Sequence, residues 1–434
     1  MNKQILRLAI PNIISNLSIP LLSAVDTAVV GHLDETYYLG AIAIGAMIFN
    51  FLYWGFGFLR MGTTGLTAQA YGEKNNRKIS LIFARALSVS IISGILIISL
   101  QILIKMLSFK IVDASSEVEL HASVYFDIRI WAAPATLSLY AIHGWFLGMQ
   151  NAKYPLILSV FANVCNIILN LAFIYIMGMK SDGVALGTVI SQYLGLLLGL
   201  FLILKKYSSF IIKFDISEVL HLKELKIFFS VNADIFIRTL CLIFAFTYFT
   251  AKSATMGDDI LAVNTILLQL WLILSYGVDG FAFAAESLVG KFIGAKDQKN
   301  LKLVIKYSFN RAMVLGVILS VVYFLFDREI LSVFTNKEEL ISAALVFFGW
   351  TVAAPIINSF CFIWDGIYIG AMATKPMRNS MIFSSFVIYL PVILLTEPYI
   401  GNHSIWLGLL LFMFFRGLTL TLYSRKNIMN VISV

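Results

Sequence analysis

Long apolar runs alternate with short polar connections from one end of the chain to the other. A helix needs about 20 apolar residues to cross the hydrocarbon core of a bilayer, and twelve stretches meet that length. Their approximate bounds are 8–32, 38–71, 80–108, 122–149, 155–178, 184–204, 224–251, 259–290, 303–326, 340–370, 378–396 and 404–423. Several exceed the minimum and should tilt or project beyond the lipid. The pattern predicts an all-α integral membrane protein of twelve transmembrane helices in two six-helix lobes. Residues 1–204 would form the first lobe, 205–223 a basic cytoplasmic linker, and 224–434 the second lobe.

The polar connections differ in charge. Lys3, Arg7, Lys74, Arg77, Lys78, Lys153, Lys205, Lys206, Lys291, Lys296, Lys375, Arg378, Arg425 and Lys426 fall in alternate connections. The opposite connections hold few cations and carry Asp34, Glu35, Glu117, Glu119, Asp258, Asp259, Glu338 and Glu339. By the positive-inside rule both termini are cytoplasmic, which requires an even number of spans.

Composition sharpens the membrane reading. Hydrophobic residues make up 59% of the 434 and charged residues 13%, and the mean hydropathy is +0.87. The pI near 9.2 reflects the sidedness just described and no basic stripe of a nucleic-acid binder. The first apolar segment has no small-residue cleavage site and is expected to stay in place. Cys165, Cys241 and Cys361 sit in apolar runs without metal-ligand spacing, so small buried hydrophobes are expected there.

The chain also repeats itself. The string ending "AYGEKNN" returns 222 residues later as the string ending "FIGAKDQ", with Gly55 on Gly277, Gly72 on Gly294 and Lys74 on Lys296. A second echo sets Ala133-Pro134 against Ala354-Pro355, Gly148 against Gly370 and Lys153 against Lys375. With six spans per copy, both copies enter the membrane in one orientation, as in two-lobed transporters.

An ionised side chain in hydrocarbon is costly and usually faces a cavity or a partner. Asp26 lies in the first apolar run, where burial favours the protonated form. Pro11 and Pro20 precede it and permit a bend. Asn163, Asn166 and Asn170 share one face of the fifth helix, suited to hydrogen-bonding Asp26, lining a polar cavity or gluing helices together. In the second lobe Asp234 and Arg238 lie one turn apart, with spacing for an ion pair along their helix. Asp279 and Glu286 share a face of the eighth helix, and Asp365 lies in the tenth. Four acids against one arginine leave negative charge suited to a proton or sodium site. Arg60, Arg129, Arg311 and Arg416 also lie in apolar runs, and spacing does not assign their partners. Tyr53, Trp54, Trp131, Tyr140, Trp145, Trp271, Tyr276 and Trp364 offer aromatic faces for amphipathic or cationic molecules, or anchors at the lipid interface.

No Gly-Lys-Ser/Thr phosphate loop is present, which excludes an ATP-driven pump in this chain, and the five histidines are scattered. Transport driven by an ion gradient is the class that remains. A flippase for lipid-linked or amphipathic metabolites is the nearest alternative, but would be expected to carry a cationic cavity. An integral membrane enzyme is the other, and would need a catalytic pair that is not evident.

The strings "AVDTAVVGHL", "MGTTGLTAQAYGEKN", "NVCNIILN" and "ESLVGKFIGAKD" resemble the MATE (multidrug and toxic compound extrusion) transporter family. "NADIFIRT" and "WDGIYIGA" resemble its DinF-like branch in particular. The resemblance covers nearly the whole chain. It implies a two-lobed V-shaped bundle that exports organic compounds, cationic or amphipathic, in exchange for protons or sodium ions. No other cofactor is implied. The expected setting is the plasma (inner) membrane, as a monomer, with small organic substrates and membrane lipids as partners and no nucleic acid. By the same resemblance Asp26 matches the first-helix acid whose protonation bends that helix, Pro11 a proline of that helix, and Asn163 and Asn166 asparagines of the fifth. Asn170 departs from the aspartate common in relatives, which leaves Asp26 alone as the first-lobe titrating group. Asp234, Arg238, Asp279, Glu286 and Asp365 match polar positions of the second lobe.

Overall fold

A computed structural model describes residues 1–30, 35–111, 114–212 and 215–429, with the side chains of 19–30, Thr36 and Ile216 left out of the description. Among the described residues ten helices are long and apolar enough to cross a membrane. They are α2 (Tyr37–Gly72), α3 (Asn76–Ser99), α5 (Lys153–Ile176), α6 (Ser181–Lys206), α7 (Leu222–Thr255), α8 (Asp258–Gly294), α9 (Gln298–Leu325), α10 (Glu338–Gly370), α11 (Thr374–Ile400) and α12 (His403–Met429). Two more long helical runs, α1 (Asn2–Val30) and α4 (116–148), raise the ten to twelve. No strand occurs among the described residues. Helices α1 and α11 extend well past the apolar runs from which they are predicted, because polar residues outside the hydrocarbon continue the backbone ladder at no desolvation cost. Leu96, Ile102, Leu197 and Ile318 are each more than half exposed, as lipid-facing side chains are.

The contacts divide the chain into two compact units, Ile14–Phe229 and a second made of Met1–Ile13 with Ser230–Val434. The first thirteen residues thus pack with the C-terminal unit. Gly280 of α8 makes room there, since a Cβ would stand 2.3 Å from Ile13 Cγ1 and 2.9 Å from the Ala9 carbonyl oxygen.

The echo at 222 residues is geometric as well as textual. Lys74 and Lys296 share a left-handed backbone, φ 55° and 54°, at the ends of α2 and α8. The next amide of each closes a six-residue loop, Asn75 N to Ala70 O and Asp297 N to Phe292 O, the hydrogen bond of a Schellman termination. Asn75 and Asp297 then cap the following helix by accepting from the amides of Lys78 and Asn300. A second pair, Gln150 and Met372, ends α4 and α10 in the same way, with φ 62° and 57°. Between these ends the helices touch backbone to backbone. A Cβ on Gly144 would lie 2.3 Å from the Arg60 carbonyl oxygen, and one on Gly366 2.2 Å from that of Ala282. The same small-residue contact therefore joins α2 to α4 and α8 to α10.

The linker segment is docked, not loose. Arg77 of α3 holds both carboxylate oxygens of Glu218 at 2.9 and 2.7 Å. The buried Arg85 guanidinium donates to the carbonyls of Val219 and Glu218, the open end of the short helix Ile216–Val219. Tyr207 packs edge-on to Trp145, and its hydroxyl accepts from the Asn151 amide at 2.8 Å. Arg77 and a backbone amide together hold the Glu218 carboxyl below its ordinary range.

Candidate functional site

In the unit Ile14–Phe229 the asparagine face of α5 hydrogen-bonds to neighbouring helices. The Asn163 amide donates to the Ser18 hydroxyl at 3.3 Å, and the Ser15 hydroxyl donates to that of Ser159 at 3.0 Å, which pins α1 along α5. The Asn166 amide reaches Thr188 of α6 at 3.1 Å, and Asn170 donates to Asn166 at 3.2 Å. Gly187 of α6 admits Asn170, since a Cβ there would stand 2.2 Å from its Oδ1. Immediately after Asn170 the helix relaxes into a π turn, Ala172–Ile176. Asp26 and Pro20, expected to work with this face, lie outside the described side chains. Pro11 is half-buried in α1, two residues before the boundary between the units at Ile13.

The same unit holds a second polar group that spacing left unassigned. The Arg129 guanidinium sits 5.3 Å from the Phe49 ring centre and 5.7 Å from that of Tyr53. No carboxylate pairs with Arg129 among the described residues. Cation–π contact is worth about 0.5 to 2 kcal/mol. Arg129 is half-buried at the last position of the α-helix Ser116–Arg129, where the chain passes into a 3-10 turn.

In the C-terminal unit the ionic residues form two sets. Arg238 of α7 and Arg416 of α12 both bind the Asp365 carboxylate of α10, and all three residues are at least nine-tenths buried. Glu286 of α8 is buried in the same unit, and Asp279 lies seven residues before it on that helix. Asp234 belongs to another set: it accepts from Arg378 at 2.7 Å and from the Thr374 hydroxyl at 2.8 Å, both of α11. The intrahelical pair expected between Asp234 and Arg238 therefore does not form. Each side chain finds a partner on another helix, and a buried carboxylate gains more from a guanidinium with fixed geometry than from a flexible neighbour on its own helix. Arg378 was read from sequence only as a marker of the cytoplasmic side. Arg311 is exposed on α9. Beside the ionic set, Asn358 of α10 is fully buried with neither amide atom hydrogen-bonded, and Asp365 Oδ1, Arg238 Nε and Arg416 Nε are likewise unpaired among the described residues. Native cores hold few such groups, and those they retain need an explanation.

Among the described residues no cluster of three or more His, Cys, Asp or Glu side chains could hold a metal ion. What the arrangement offers is a buried set of carboxylates, guanidiniums and amides joined across helices, which suits the movement of charge and not bond-making.

Known proteins resemble the chain in sequence and in fold. The MatE family model matches it twice, over residues 11–172 and 235–395. The two matches begin 224 residues apart (235 − 11), close to the internal repeat. The DNA damage-inducible protein F of Escherichia coli is 37% identical over 426 residues, covering 98% of this chain and 92% of that protein. A probable multidrug resistance protein NorM of Photorhabdus laumondii is 25% identical, covering 99% of this chain and 97% of that protein. Among solved structures, a crystal structure of MATE in the bent conformation superposes with a TM-score of 0.88 at 20% identity, covering 99% of this chain and 96% of the other.

Proposed function

The chain belongs to the MatE family, whose members are transporters and not enzymes, and on that premise we propose that it is a proton-coupled secondary antiporter exporting small organic, amphipathic compounds. It works as a monomer in the plasma (inner) membrane with both termini cytoplasmic, and its lobes, joined by the linker 205–223, alternate access by rocking. Asp26 takes up the proton in the first lobe, on a helix that bends at Pro11 and Pro20 and that Ser15 and Ser18 hold against α5. Asn163, Asn166 and Asn170 supply the polar face beside it. In the second lobe Asp279 and Glu286 act with the Arg238, Asp365 and Arg416 set.

The observation that carries protons over sodium is the state of Asp365. A bare carboxylate in this position would suit a sodium ion, but here two guanidiniums already supply the positive charge. Sodium would have to displace a bound arginine there, and the proton is assigned to Asp26 of the first lobe. Everted vesicles carrying the protein test this: a fluorescent organic cation should accumulate when a pH gradient is imposed, and a sodium gradient at uniform pH should drive none. Accumulation driven by sodium alone would reject proton coupling.

A further inference from the structure

The repeat distributes charge unequally between its copies. At an offset of 222 residues Arg60 stands opposite Ala282, and Arg129, in the stretch that the Ala133-Pro134 match sets at 221, stands opposite Trp350. The contacts of Gly144 with the Arg60 carbonyl and of Gly366 with that of Ala282 fix this register in space. His143 stands opposite Asp365, Thr64 opposite Glu286 and Gly57 opposite Asp279. At these equivalent places the unit Ile14–Phe229 carries cations and neutral groups, and the C-terminal unit carries the acids.

Arg129 is the most exacting of the cations. It lies about 20 Å along α4 from the start of that helix at 1.5 Å per residue. The helical run continues through it into a 3-10 turn and on to Gly148, so no open carbonyls at a helix end are there to receive it. Phe49 and Tyr53 hold the guanidinium, and the stack of Phe49 on Phe126 at 5.2 Å holds Phe49 in turn. A planar guanidinium held against two rings can turn its N–H edge to a carboxylate or phosphate. The rings around it suit an apolar body.

We propose that Arg129, in its aromatic seat of Phe49 and Tyr53, recognises the anionic group of an amphipathic substrate, a carboxylate, sulfate or phosphate. The proposal rests on the transporter reading and adds amphiphiles with an anionic group to its substrates.

Three probes that share one hydrophobic body test it: pyrenebutyrate, its primary amide, and the corresponding trimethylammonium compound. Binding to the purified full chain in a nonionic detergent, measured at equilibrium without any gradient, should favour the carboxylate over the amide by about tenfold, the worth of one charge-assisted hydrogen bond. Arg129→Gln should abolish that preference, Arg129→Lys should keep part of it, and Arg311→Gln should leave it intact. Amide binding reports whether each variant is folded; were Arg129→Gln to lose it, the Lys variant would decide, full retention or complete loss of preference counting against the proposal. Displacement of pyrenebutyrate by phosphatidylglycerol would identify a lipid headgroup as the source of the anion, and no displacement a soluble amphiphile. Equal affinity for carboxylate and amide in the parent, tighter binding of the ammonium probe, or an unchanged preference in Arg129→Gln would overturn it. Gradient-driven uptake of the ammonium probe in vesicles is read separately, so a failure of antiport and a failure of anion recognition are told apart.

Discussion

Arg416 binds the same carboxylate oxygen of Asp365, Oδ2, that Arg238 binds. One acid thus ties α7, α10 and α12 together at a buried point, and the two cations on it repel each other. Removing one partner of a buried ion pair costs about 3 to 5 kcal/mol, because the other charge is left uncompensated. Asp365→Asn should lower the unfolding temperature of the purified protein by a margin of that order. Asp365→Asn with Arg416→Leu should cost less than Asp365→Asn alone, since the second change removes the repulsion that the first exposes. Additive losses in a thermal unfolding assay would mean that the three side chains are not one unit.

Gly144 and Gly366 mark matching backbone contacts, and both should fail alike. A Cβ at 2.3 or 2.2 Å from a carbonyl oxygen forces the helices apart, and overpacking of this kind costs about 1 to 3 kcal/mol. Gly144→Ala and Gly366→Ala should each destabilise by that amount. Gly349→Ala, where a Cβ would meet nothing within 4 Å, should be neutral or stabilise by about 0.5 to 1 kcal/mol through helix propensity. A harmless Gly366→Ala would show that α8 and α10 do not meet there.

The twelve spans and the repeat were legible because hydrocarbon demands long apolar runs and because "YGEKN" and "IGAKD" encode the same Schellman end and cap. The partners of the buried charges were not. Asp234 and Arg238 have the spacing of a helical pair, but periodicity carries no information on Arg378, Asp365 and Arg416, which tertiary packing brings to them from 127 to 178 positions further along the chain. The seat of Arg129 was hidden for the same reason: Phe49 and Tyr53 belong to α2 and the arginine to α4. The asparagine stripe of α5 was legible as a face, and its division between α1 and α6 was not.

The linker clasp should respond to acid. Glu218 has a carboxyl held below its ordinary value of 4.5 by Arg77. A depressed carboxylate stabilises the folded state above its unfolded pKa, and the stabilisation is lost as pH falls through the folded value. Protease cleavage within 205–223 should therefore stay constant from neutral pH down to 4.5 and rise below it. Arg77→Ala should raise cleavage already at neutral pH and remove the rise in acid. A parent profile identical to that of Arg77→Ala would mean that the pair does not hold the segment.

Asp26 is expected to carry the first-lobe proton. Asp26→Asn keeps the hydrogen-bonding shape and removes titration, so export of an organic cation from cells should fall to the level of cells without the protein, while surface expression is unchanged. Export equal to the parent would remove Asp26 from coupling.

The central claim is that substrate and proton oppose each other in binding, by a coupling on the order of 1 to 3 kcal/mol. Substrate added to the purified protein in weakly buffered detergent solution, followed with a pH-sensitive dye, tests this most directly. The account predicts proton release that saturates with substrate, is the same with and without sodium, and is reduced in Asp26→Asn. Saturable binding with no proton release, or release that requires sodium, would contradict it.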